Sequence, residues 1–66
     1  MVGANLRRLR ERKKLNLTEL MNATHVHRIT IAEIEDGVRN PRVETLQKLG
    51  RALGVEVAAF FREVAP

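Results

Sequence analysis

Cysteine, tryptophan and tyrosine are absent from these 66 residues, and the aromatic complement is two phenylalanines, Phe60 and Phe61. Without cysteine there is no disulfide to staple a small domain and no thiolate metal site. Two aromatics at one end of the chain offer no platform on which single-stranded bases would stack. No apolar run approaches the roughly 18 residues that a membrane-crossing helix needs. The opening Met1-Val2-Gly3-Ala4-Asn5-Leu6 has no basic segment followed by an apolar one, so it does not read as a signal peptide. The expectation is one soluble, cytoplasmic domain, residues 1–66, with no membrane partner. A chain this short buries a modest fraction of its surface, so its core must be efficient.

Catalytic chemistry is missing as well. No serine stands beside a base, and no glycine-rich loop is present to cradle a phosphate. Glu35 and Asp36 are adjacent, so they point in different directions and make no acid/base pair. His25 and His27 have no third ligand nearby, which excludes a metal site. The reading is a protein that is not an enzyme and takes no cofactor.

What is present is positive charge, unevenly placed. Up to Arg42 the chain has Lys/Arg at 7, 8, 10, 12, 13, 14, 28, 39 and 42 against acids at 11, 19, 33, 35 and 36; from Val43 onward the two signs balance. The formal net charge of +4 therefore belongs to the first two thirds. That is either the footprint of a polyanion site or a solvated basic helix.

Periodicity is helical throughout, and about five helices are expected. The first spans Ala4 to Lys14, with Val2, Leu6 and Leu9 inward. Asn16 caps the second, with Glu19 three residues on completing a capping-box pattern, and Leu17, Leu20 and Met21 as its apolar positions. The third runs from His27 or Arg28 to Asp36, carries Ile31 and Ile34, and ends at Gly37, a residue suited to a left-handed backbone. Pro41 keeps the segment around it a loop. The fourth covers Val43 to Leu53 with Val43, Leu46, Leu49, Ala52 and Leu53 on one stripe, and a short last helix covers Glu56 to Glu63. The break between the second and third helices is too short for a loop. Two helices joined so tightly cross steeply and leave the later one protruding, the shape that enters a DNA major groove.

These residues resemble the lambda-repressor-like helix-turn-helix family, also called the Cro or xenobiotic-response-element type. The resemblance covers nearly the whole chain. It rests on Leu6-x-x-Leu9-Arg10, Leu15-Asn16-Leu17-Thr18-Glu19-Leu20, Val26, Ile31-x-x-Ile34-Glu35-x-Gly37, Arg39-Asn40-Pro41, Glu44-Thr45-Leu46-x-x-Leu49 and Ala52-Leu53-Gly54-Val55. It implies an all-α, five-helix domain with the helix-turn-helix unit at about 16–36, binding double-stranded DNA as a twofold dimer. It further implies an ion pair between Arg10 and Glu35, which follow the core residues Leu9 and Ile34 at the junction of helices one and three.

Four positions depart from the family pattern. Met21 stands where a small residue is usual, and His25 where glycine is usual; there a left-handed backbone costs a histidine about 1 kcal/mol. His27 and Arg42 replace Ser or Thr caps, at about 1 kcal/mol each. They predict a reshaped turn or a recognition helix starting as early as Thr24.

On the protruding helix the candidates for base contact are His27, Arg28, Ile29, Ala32 and Glu33. Arg28 suits guanine O6 and N7, or else a phosphate; Ile29 suits a thymine methyl, or fills the turn, or meets a protein. Glu33 accepts from cytosine N4 or pairs with a neighbouring arginine. Phosphates are expected at the N–H groups of Leu17 and Thr18, helped by the side chains of Asn16, Thr30, Arg39, Asn40 and Arg42. The run Arg7, Arg8, Arg12, Lys13 and Lys14 is expected mostly on the outer face of helix one. Of Phe60 and Phe61 one closes the core, and the other, with Val57 or Val64, forms an apolar patch for a dimer partner. The function expected is a sequence-specific DNA-binding transcription regulator, nucleoid-associated and homodimeric. The alternatives are an adapter or antitoxin-like interaction module of the same fold, or the DNA-binding part of a longer regulator.

Overall fold

The structure, a computed structural model, describes residues 2–63; Val64, one of the expected dimer contacts, lies outside them. Helix α1 spans Val2–Arg12, α2 Leu17–Thr24, α3 Arg28–Glu35 and α4 Val43–Leu53, and a 3-10 helix follows at Val57–Phe61. No strand occurs among the described residues.

Local chemistry sets each boundary. Helix α1 stops short of the expected Lys14 because the Leu15 N–H reaches back to the Arg10 carbonyl (3.2 Å) and the Lys14 N–H to Glu11 (2.9 Å). This helix-ending pattern places Lys14 in the left-handed region, at φ 57°. The same pattern ends α3 at Gly37, φ 79°, where a glycine takes that conformation without steric cost. Val43, expected on the core stripe of α4, is 63% exposed: it is the first residue of the helix and lies beyond the reach of the core.

The fifth α-helix expected over Glu56 to Glu63 is instead this shorter, tighter 3-10 helix. The amide of Asn5, itself without exposed surface, donates to the carbonyls of Phe60 (2.8 Å) and Arg62 (2.6 Å). Those two carbonyls therefore serve α1, and the Ala59 N–H closes a three-residue turn on Glu56 at 2.9 Å. Phe60, expected among the dimer contacts, is fully buried and completes the core; it has no surface left to offer a partner.

Every element contributes to that core, with Leu6, Leu20, Ile31, Leu49 and Phe60 wholly enclosed. Helix α1 packs on α3 and on the 3-10 helix, and α2 packs on α3 and α4. At Gly3 the approach of α1 to α3 leaves no room for a side chain: a β-carbon there would sit 2.6 Å from the Glu35 carbonyl oxygen. The end of α3 is thus pressed against the backbone of α1, which fixes the attitude of the helix that precedes it.

Candidate nucleic-acid interface

At the start of α2 both halves of a capping box are made. Asn16 Oδ1 accepts from the Glu19 N–H at 2.7 Å, and Glu19 Oε1 accepts from the Asn16 N–H at 2.8 Å. Two backbone donors are used in this way, which leaves the N–H groups of Leu17 and Thr18 as the uncapped donors of the first turn. The Asn16 amide nitrogen remains available as a donor beside them.

The connection to α3 is held by Thr24 and two histidines. Thr24 Oγ1 donates to the Leu20 carbonyl (2.7 Å) and accepts from the Val26 N–H (3.1 Å), so one buried hydroxyl ties both sides of the turn. Thr24 closes α2; α3 does not begin there, because the next residue, His25, turns left-handed at φ 61°, ψ 18°. His27 then caps α3 through its ring, with Nδ1 accepting from the Ile29 N–H at 3.1 Å. In the neutral ring, an accepting Nδ1 leaves the proton on Nε2.

The side chains of α3 divide as its period requires. Ile31, Ile34 and Glu35 are buried, Arg28 and Ile29 are exposed (Ile29 59%), and Thr30, Ala32 and Glu33 are half-buried. Beneath them lies an ionic brace. Arg10 grips both oxygens of Glu35, Nε at 2.7 Å and Nη2 at 2.9 Å, and its Nη1 donates to the Leu15 carbonyl at 2.9 Å. Arg7, expected on the outer face of α1, joins the same carboxylate at 3.2 Å and adds Asp36 at 3.0 Å. Hydrogen bonding to Glu35 raises both guanidiniums above the ordinary arginine value, against an opposing effect of burial. A raised folded value contributes stability at every pH below the ordinary arginine range, so the cationic side of the brace persists throughout the neutral region.

Four of the expected phosphate contacts, three on the loop from α3 to α4 and one on α3 itself, come together. Thr30, Arg39, Asn40 and Arg42 line one groove of about 240 Å³ together with Ile34, Pro41 and Thr45. Arg39 is held there by Glu33, Nε to Oε1, at 2.9 Å. Asn16, Leu17 and Thr18 form a separate cluster at the start of α2 and do not line this groove.

A short helix with an exposed first turn, braced from behind by Arg10 and Arg7, preceded by a capped helix and followed by a basic loop, matches one known arrangement. A family profile described as helix-turn-helix covers residues 6–60. The chain belongs to the lambda-repressor-like helix-turn-helix family. It is similar to the immunity repressor protein of Bacillus phage phi105, with 32% identity over 62 residues, 94% of this chain and 43% of that one. It is also similar to the cryptic phage CTXphi transcriptional repressor RstR of Vibrio cholerae, with 34% identity over 88% of this chain and 52% of the relative. An HTH-type transcriptional regulator of Sinorhizobium fredii, y4dJ, shares 40% identity over 83% of this chain and 71% of its own length. The chain thus spans about half the length of the two phage-related relatives.

Against the helix-turn-helix pattern, the unusual residues find specific accommodations. Met21 packs half-buried against the core. His27 supplies from its imidazole the cap that a hydroxyl gives elsewhere, so that cap is not lost, whereas Arg42 makes no side-chain cap to α4. Arg7, Asn5 and Thr24 were not legible as site supports. Only Arg7 left a signal: it lies three residues before Arg10, and residues so spaced share a helix face.

Proposed function

We propose that this chain binds double-stranded DNA as a transcription regulator, with α3 entering the major groove and a symmetric dimer placing two such helices on a palindrome, about 34 Å apart. The supporting observation is Arg28. A cation in the first turn of α3 opposes the helix macrodipole, and Arg28 forms no ion pair among the described residues, so local stability gives no reason for it. A guanine edge does, since guanidinium bridges O6 and N7 in a bidentate fashion. His27, Ile29, Ala32 and Glu33 share the groove-facing side. The N–H groups of Leu17 and Thr18, with Asn16, Thr30, Arg39, Asn40 and Arg42, hold phosphates on either side. The names of the relatives, repressors and transcriptional regulators, point the same way and not to an enzyme.

The test is duplex binding as a function of salt. Arg42→Ala should flatten the slope of log affinity against log salt by about one, the signature of one lost phosphate contact. Arg28→Ala should instead relax preference at one base pair, by about 1–3 kcal/mol, in sites selected from a random duplex library. Absence of any binding to random duplex at low salt would end this reading.

A further inference from the structure

We propose that Glu33 is a positioning residue for Arg39, presenting that guanidinium to the DNA backbone already oriented, and not a reader of base edges. The inference rests on the DNA-binding reading above. Glu33 holds the departing loop twice. Its backbone carbonyl accepts the Val38 N–H at 3.0 Å, and its carboxylate accepts the Arg39 Nε–H at 2.9 Å. One residue of α3 thereby fixes both the path of the loop and the direction of the side chain that leaves it. Both side chains stay accessible, 52% for Arg39 and 39% for Glu33, so the pair lies at the surface beside the groove of Thr30, Asn40 and Arg42.

The chemistry of the pair favours presentation over base reading. Guanidinium has five donors in a rigid plane, and a carboxylate on Nε leaves the edge formed by the two terminal nitrogens. Among the described residues no hydrogen bond engages either terminal nitrogen of Arg39. That edge matches two oxygens of one phosphate. A bare carboxylate on the groove-facing side would be repelled by the same phosphates; paired with Arg39 its charge is offset. To accept from a cytosine amine, Glu33 would have to compete with an arginine already bound to it.

A double-mutant cycle on random duplex decides the matter, because it cancels the general relief of repulsion that follows removal of any carboxylate. With Glu33 present, Arg39→Ala should weaken binding about tenfold and lower the salt slope by about one. In Glu33→Ala protein the same Arg39→Ala change should weaken binding no more than about twofold. Glu33→Gln, which keeps an acceptor for Nε without the charge, should restore most of the Arg39 effect. In the free protein, NMR relaxation of the Arg39 Nε–H should show order that Glu33→Ala abolishes. An Arg39 effect equal or larger without Glu33 overturns this inference while leaving duplex binding itself intact. Failure of the unaltered protein to bind any duplex overturns both.

Discussion

Glu35 carries two arginines on a carboxylate whose side chain is 2% exposed, and the partners differ in how much water they keep: 13% for Arg10 and 49% for Arg7. Arg10 makes two of the three hydrogen bonds by which the arginines hold this buried carboxylate, and breaking a buried pair from one side costs on the order of 3 kcal/mol, whereas the more exposed Arg7 is screened by solvent. Arg10→Ala should therefore destabilise the domain by about 3 kcal/mol in urea unfolding, and Arg7→Ala by distinctly less. Equal effects of the two substitutions would show that burial does not set the strength of the brace. Arg10 also donates to the Leu15 carbonyl, so its loss loosens the exit from α1 as well as the seat of α3. Asn5 makes the contrasting case. Its hydrogen bonds to Phe60 and Arg62 close a sequence separation of more than fifty residues, and nothing near position 5 in the chain announces them.

At the scale of the elements, legibility followed the range of the interaction. Leu6 with Leu9, Ile31 with Ile34, and the Asn16–Glu19 box are contacts within one or two helical turns, and they place α3 and the start of α2 where the spacing predicts, and α1 two residues ahead of it. The five-residue 3-10 helix has the apolar spacing of an α-helix, because what tightens it is the distant Asn5 amide. By sequence both histidines weaken the turn between α2 and α3; the structure separates their effects. His25 adopts a left-handed backbone that suits glycine, so His25→Gly should raise stability by about 0.5–1 kcal/mol. His27 caps α3, so His27→Ala should lower it by about 1 kcal/mol, with His27→Asn restoring the cap. In a domain of this size 1 kcal/mol moves the melting temperature by about 4–8 °C, so calorimetry resolves opposite shifts from two residues two positions apart. Shifts of the same sign would contradict the assignment of cap and strain to different histidines.

For the molecule as a whole, folding redistributes the charge that the sequence shows. Arg7 and Arg10 are engaged with Glu35 and Asp36, so part of the basic excess is spent inside the protein's own scaffold. Arg28 and Arg42, the free edge of Arg39, and the exposed Arg12, Lys13 and Lys14 remain for an external polyanion. The apolar surface is similarly reduced. In a 3-10 helix residues three apart are eclipsed, so Val57 shares the inward side with Phe60, and Phe61, 53% exposed, shares its side with Ala58. A twofold contact through this end of the molecule would therefore be built on Phe61 and Ala58, with Val57 behind them. Covering the exposed half of one ring contributes about 1–1.5 kcal/mol, and twofold symmetry counts it on both partners, which amounts to roughly a hundredfold in the dimer dissociation constant. Phe61→Ser should raise that constant by about this factor in sedimentation equilibrium. Because Phe61 stands outside the core, the melting temperature of the dilute protein should hardly move. Binding to a palindromic duplex should weaken in Phe61→Ser protein while binding to a single half-site stays the same, since only the former draws on the second subunit. An unchanged sedimentation profile together with unchanged palindrome binding would remove Phe61 from the interface and direct the search for a twofold contact to another face.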